Sequence, residues 1–156
     1  MYLDKHTFTK VIDSTPLVSI DLVVENSKGE ILLGLRNNRP AQGFWFVPGG
    51  RIRKNETMDN AFKRLCHEEL GLDKTRQQAE WLGAFEHFYD DCVFGDTIST
   101  HYVVLAYKII VDAPMQSLPI SQHNQYKWLS VDKVLSDSKV HLHSKWYVKS
   151  TNLPEN

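Results

Sequence analysis

The sequence offers almost no sulfur chemistry: it has two cysteines, Cys66 and Cys92, in 156 residues, and they show no metal-ligand spacing. Two such residues make no disulfide framework, so a hydrophobic core must hold the chain, and a reduced, cytoplasmic setting is the expectation. Long apolar runs are also missing. None reaches the about 18 residues that cross a bilayer, and the start, MYLDKHTFTK, has neither an apolar stretch nor a small-residue cleavage site. Neither a membrane span nor a signal peptide is therefore expected. Charge of one sign is absent too. A formal net charge of −1 speaks against nucleic acid as the main partner, which usually requires a basic surface, but it permits a small anionic ligand. Repeats, low-complexity tracts and linker-like stretches do not occur, so one domain over residues 1–156 is expected, ending in a short polar tail, TNLPEN. Apolar residues at 42% against 24% charged are enough for a sizeable core at this length.

Between these absences the chain is patterned. LVSIDLVVEN is rich in β-branched residues, Ser-Lys-Gly-Glu marks a turn, and EILLGLR follows, which together read as a β-hairpin in the core of a sheet. NNRPAQG is a loop, FWFV a short buried strand and PGG a breaker. EWLGAFEHFY and HYVVLAYKIIV form a second antiparallel pair. YKWLS is a short strand, SVDKVLSD begins a helix with a Ser or Asp cap, and a last helix runs through SKVHLHSKWYVKS. Strands and helices mix without regular βαβ alternation, which predicts an α+β fold.

The helix after PGG carries an anomaly. At about 100° per residue, Met58, Phe62 and Leu65 share one face, flanked by Ala61 and Cys66, while Asn60, Lys63, Arg64 and His67 face the other way. Glu69 falls within the apolar stripe. A carboxylate carried inward needs a cation, a hydrogen-bond donor or a metal, or it stays neutral. Either the last turn frays and Glu69 reaches solvent, or Glu69 is a ligand for a divalent cation.

From Gly50 the chain reads G-x5-E-x7-R-x3-E-E-x-G-L, through Glu56, Arg64, Glu68, Glu69, Gly71 and Leu72. This resembles the Nudix box, here residues 50–72, a loop–helix–loop that binds a divalent metal against a diphosphate. One position departs from it: Leu65 stands where the family's box has Glu. The segments STPLVSIDLVVENSKGEILLG, RNNRPAQGFWFVPGGR, EHFYDD and THYVVL, and the Gln-His pair before YKWLS, are similar to the branch of the family that hydrolyses GDP-mannose. The resemblance implies a Nudix fold, with a mixed β-sheet core and flanking helices in an α/β/α sandwich. It also implies one Mg²⁺ per subunit, for which Mn²⁺ substitutes, and a homodimer serving bacterial cell-surface polysaccharide biosynthesis. Glu68 is a smaller departure that leaves the number of metals open.

The same resemblance assigns roles. The metal is held by the Gly49 carbonyl, Glu69 and Gln122, an oxygen set suited to Mg²⁺. Arg36, Arg51 and Arg64 meet the diphosphate, where a forked guanidinium suits the accumulating charge, although Arg64 has an ordinary use in pairing with Glu56 or Glu68. Tyr102 either reaches the same phosphate or is a core tyrosine. His123, next to Gln122, is the candidate general base, its imidazole titrating near working pH. Asp21 and His87 hold the mannose, or are respectively an in-strand polar residue and a satisfied sheet histidine. Tyr2, Leu3 and Phe8 contact the nucleotide, Phe8 with an aromatic face for the base, or pack across a dimer partner. The activity implied is attack of water at the sugar C1 with inversion, giving GDP and mannose from GDP-mannose, and GDP and glucose from GDP-glucose. The competing readings are a Nudix diphosphatase cleaving a P–O bond and a non-catalytic nucleotide-binding module.

Overall fold

The computed structural model describes residues 2–112 and 123–151. Among these, seven strands and four α-helices follow in the order α1 (Lys5–Ser14), β1 (Leu17–Asn26), β2 (Ile31–Arg36), β3 (Trp45–Phe46), β4 (Gly49–Arg51), α2 (Met58–Leu70), β5 (Glu80–Tyr89), β6 (Thr100–Val111), β7 (His123–Leu129), α3 (Val131–Ser136) and α4 (Leu142–Thr151). The β1–β2 hairpin forms with Gly29 at positive φ in its turn, and it pairs Glu25 with Ile31 near the closed end. Beyond that point the two strands take different neighbours. β1 pairs with β6 in parallel along its length, from Leu17–Tyr102 to Asn26–Val111. Its first half also takes β4 antiparallel, through Ser19–Arg51, Ile20–Gly50 and Asp21–Gly49. β2 instead takes β3 and β7, both antiparallel, and β5 closes the far side against β6. The sheet is therefore mixed, and it splays where β1 and β2 part.

Both faces of the sheet are covered, as the period-2 alternation of β1 requires. Ile20, Leu22 and Val24 pack with Ala61, Phe62, Leu65, Cys66 and Leu70 of α2. Val23 packs on the other side with Val134 of α3 and Tyr147 and Val148 of α4. This is the α+β sandwich expected from the sequence. Helix α2 begins at a Thr57 cap that accepts from the Asn60 amide, and it ends at Gly71 in the left-handed conformation. Ser130 caps α3 in the same way.

Two features depart from the sequence reading. PGG is no plain breaker, because Gly49, Gly50 and Arg51 form β4. A run of two glycines reads as a turn, but here tertiary pairing with β1 supplies the ladder that propensity does not. Lys5–Ser14, to which no element was assigned, is a helix capped by Asp4, whose carboxylate accepts from the Thr7 amide at 3.0 Å and the Thr7 hydroxyl at 2.7 Å.

The glycines of β4 are fixed by contact. A Cβ on Gly49 would overlap the Ile20 carbonyl oxygen and come 2.5 Å from Asp21 Oδ1, whereas one on Gly50 would come 2.5 Å from Leu65 Cδ2. Backbone cannot yield as a leucine rotamer can. Gly49→Ala is expected to cost ~2–3 kcal/mol in urea unfolding and Gly50→Ala about half as much; equal losses would show that the Ile20 backbone is not the obstacle.

Candidate active site

The loop before α2 is tied down by one arginine. Arg64 donates from Nε to Glu56 Oε1 at 2.7 Å and from Nη2 to Glu56 Oε2 at 3.0 Å. Nη2 also reaches the Arg51 carbonyl at 2.9 Å, and Nη1 reaches Glu68 at 3.0 Å. Glu56 in turn accepts from the Arg53 amide, and the Arg64 hydrogen bonds hold its carboxyl below the usual range. A single guanidinium thus joins β4, the loop and α2, a geometry that the point charge of a lysine does not reproduce.

The Arg51 carbonyl leaves β4 on the edge away from β1. The ladder alternates, with Leu22 donating to the Pro48 carbonyl and Ile52 donating to the Val18 carbonyl, so the Gly49 carbonyl leaves on the same outer edge as that of Arg51. Glu69 is 4% exposed, so its side chain turns inward rather than fraying to solvent. A main-chain carbonyl and a buried carboxylate are hard oxygen donors, the kind Mg²⁺ takes in small number beside water and substrate phosphates. Among the described residues no cluster of three or more His, Cys, Asp or Glu forms a self-sufficient metal cage. Leu65, at the departing box position, is buried over Gly50.

Where β1 and β2 part, a cavity of about 320 Å³ opens on the other side of β4. Its walls bring together residues from seven elements: Phe8 and Ile12 of α1, Ser19 and Asp21 of β1, Arg36 of β2, Phe46 of β3, Gly49 and Arg51 of β4, His87 of β5 and Tyr102 of β6. Arg51 lies against the Phe8 ring, 4.3 Å from its centroid, and Arg53 stands 5.3 Å from the ring of Tyr2. Asp21 is buried, and desolvation pushes its pKa up to about 7 despite the opposing Tyr147 hydrogen bond and the Arg36 charge. His87 is pushed down to about 3, first by burial and then by His143 and His141. His141 and His143 are each pushed down to about 4, mainly by burial. The histidines of this cluster are therefore neutral imidazoles at pH 7.

The structure gathers Tyr2, Leu3, Phe8, Asp21, Arg36, Gly49, Arg51, His87 and Tyr102 around one cavity. Arg64 and Glu69 do not line it. Arg64 makes the ion pairs described above, and Glu69 faces the α2 core. The backbone of His123 opens β7 opposite Arg36, and Gln122 lies outside the described residues. Sequence reasoning missed Tyr147, which donates to Asp21 Oδ2 at 2.5 Å and lies 3.1 Å from His87 Nε2. It also missed Ser144, whose hydroxyl accepts from the Val47 amide at 3.0 Å. The two are three apart on α4 and both fully buried, a spacing that put them on one face without saying what that face meets.

Comparison with known proteins agrees with the fold. The family model for the NUDIX domain matches residues 15–149, and the chain belongs to the Nudix family. It is 44% identical over 117 residues, 75% of this chain and 72% of the other, to the low-salt glycan biosynthesis protein Agl8 of Haloferax volcanii. The MutT protein of Methanosarcina mazei superposes with a TM-score of 0.69 at 22% identity, over 87% of this chain and 93% of that one. The NUDIX domain of Shewanella oneidensis NrtR, in complex with ADP ribose, gives 0.68 at 18% identity over 96% and 97%. At such identities these two likenesses concern the fold. Nudix hydrolases generally use divalent metal ions such as Mg²⁺. No helix among the described residues is long and apolar enough to cross a membrane.

The raised Asp21 pKa makes a stability prediction. Native Asp21 holds its proton from the unfolded carboxyl range, near pH 4, up to about 7, so wild-type stability falls as pH rises through that window and then levels. Asp21→Asn removes this slope, which is at most about 1.4 kcal/mol per pH unit. Urea unfolding should find the variant gaining on wild type between pH 4 and 7; parallel curves would contradict the assignment.

Proposed function

We propose that the chain hydrolyses GDP-mannose, and GDP-glucose, to GDP and the free sugar by attack of water at C1 with inversion. The observation that carries this reading is the cavity lining: Arg36 and Arg51 share its walls with a buried Asp21–His87 pair. Arginines suit a diphosphate and the paired oxygen and nitrogen acceptors suit sugar hydroxyls. Phe8, beside Arg51, offers a ring for the nucleobase, with Tyr2 and Leu3 at the same mouth. The likeness to a protein described as acting in glycan biosynthesis supports a sugar-bearing substrate.

In this reading Gly49, Glu69 and Gln122 hold one Mg²⁺, which neutralises charge on the diphosphate when bound. His123 takes a proton from water as the water oxygen bonds to C1. The bond from C1 to the phosphate oxygen breaks and its electron pair leaves with GDP. Arg36 and Arg51 meet that charge, and Tyr102 donates to the same phosphate. An inverting glycosidase normally adds a general acid because an alkoxide leaves poorly. A terminal phosphate with a second pKa of about 6 leaves as the anion, so a base suffices. Arg64 contributes by holding Arg51 and the box loop in place. We further propose that the protein is a cytoplasmic homodimer and binds neither nucleic acid nor membrane.

Two experiments test this. Hydrolysis of GDP-mannose in ¹⁸O-labelled water should put the label on mannose and leave GDP unlabelled by mass spectrometry. Label on a phosphate, with GMP and mannose phosphate as products, would establish the diphosphatase reading instead. Glu69→Gln should weaken Mg²⁺ binding by about tenfold or more in a titration while far-UV circular dichroism is kept. Unchanged affinity would remove Glu69 from the metal site.

A further inference from the structure

Behind one end of the cavity stands a residue outside its lining. Tyr147 of α4 is fully buried, whereas its two polar neighbours, Asp21 of β1 and His87 of β5, both line the cavity. The Tyr147 hydroxyl is 2.5 Å from Asp21 Oδ2 and 3.1 Å from His87 Nε2. A phenol has one proton to give, and the Tyr147 hydroxyl gives it to Asp21 Oδ2. Its oxygen then meets Nε2 with nothing left to donate. That contact is a hydrogen bond when Nε2 carries the imidazole's proton. His87 is neutral and therefore has one N–H. With that proton on Nε2, Nδ1 keeps its lone pair.

The rings around His87 do not decide this. His143 stacks on it at 4.1 Å, with Trp146 at 5.8 Å and Phe46 at 6.2 Å, and these contacts fix the plane of the imidazole but not its tautomer. A tyrosine that merely filled the core would need one partner for its hydroxyl. Tyr147 has two, from strands on either side of β6.

We propose that Tyr147 is a positioning residue for the substrate's polyol end: by donating to Asp21 and accepting from His87, it fixes the Nε2–H tautomer of His87, so that Asp21 and His87 both present acceptors to hydroxyl donors. The substrate part of this inference rests on the nucleotide-sugar reading above; the tautomer does not. It makes the C-terminal helix part of sugar recognition although no atom of Tyr147 touches the ligand.

Two-bond ¹H–¹⁵N correlation spectra of the full ¹⁵N-histidine-labelled chain, without ligand, report which nitrogen of each neutral imidazole is protonated, and His87→Gln identifies the signal. Wild type should show His87 as Nε2–H. Tyr147→Phe removes the hydroxyl, and the Nδ1–H form should appear. Asp21→Ala keeps the phenol but frees its proton to turn to Nε2, so His87 should switch to Nδ1–H; this second variant decides the matter if the first does not fold. An Nε2–H signal unchanged in a folded variant overturns the proposal. In kinetics, Tyr147→Phe should lower kcat/KM for GDP-mannose about tenfold, the scale of one hydrogen bond to a charged group, and leave inhibition by GDP within about twofold. An equal loss of GDP affinity would mean general damage to the site and count against positioning. If wild type releases no GDP from GDP-mannose, the functional reading fails, and the spectra still decide the role of Tyr147.

Discussion

Everything near the cavity depends on how β1 is shared. One strand supplies Ile20, Leu22 and Val24 to the α2 core and, at the alternate positions, Ser19, Asp21 and Val23 to the opposite face. Period-2 geometry makes these two sets inseparable, because a slip of one residue would exchange them. The parting of β1 from β2 leaves the first half of β1 to β4, and β4 fits there because its two glycines have no side chains. The gap that opens is lined on one side by Asp21 and on the other by Arg36. A cavity thus arises from a strand that finds different neighbours along its length, with no element added for the purpose.

Asp21 is a destabilising choice at a place where the neighbouring positions are apolar. A buried carboxylate is costly unless hydrogen-bonded and faced by positive charge. Tyr147 supplies the hydrogen bond and Arg36 the charge, yet burial still dominates and keeps the pKa high. α4 is recruited to this compensation. Ser144 holds the Val47 amide, and the backbone of Trp45 both donates to Lys139 and accepts from His141, so the C-terminal segment is fastened to β3 and the strand end beside it. Stability surrendered at this carboxyl is recovered through contacts that fix the geometry of the cavity.

How much of this was legible in the sequence follows from the range of the interactions. The inward turn of Glu69 and the burial of Leu65 were readable because helical periodicity is local and α2 has clear caps. The hairpin and the β5–β6 pair were readable from alternation and turn residues. β4 was not, because two glycines have no strand propensity and the pairing is set by β1, about 30 residues away. Helix α1 was missed because its apolar residues, Phe8, Val11 and Ile12, are few and half its turns face solvent. Tyr147 was missed for a different reason. Its partners lie 126 and 60 residues away, and nothing in SKWYVKS distinguishes a tyrosine that organises a site from one that fills a core. The cavity residues themselves were named through family likeness; composition and spacing left Asp21, His87 and Tyr102 open.

The two sets of contacts around the cavity are built by different means. Beside the cavity, the β4 main chain, the Arg64 ties and the α2 carboxylates are all within one continuous segment, residues 49–69, so the geometry there is locally determined. Around Asp21 and His87 the geometry depends on α4, which arrives from the far end of the chain and is fastened by a few side-chain bonds. A local motif tolerates changes elsewhere, whereas a junction of distant segments changes when any one of them does. On the proposed function, a diphosphate would be met largely by this locally built part, with Arg36 added from β2. On the same reading, discrimination among the groups attached to that diphosphate would fall to the part whose geometry α4 sets. The neutral imidazole of His87 suits that second task, since it offers a donor and an acceptor whose order a neighbouring hydroxyl can set.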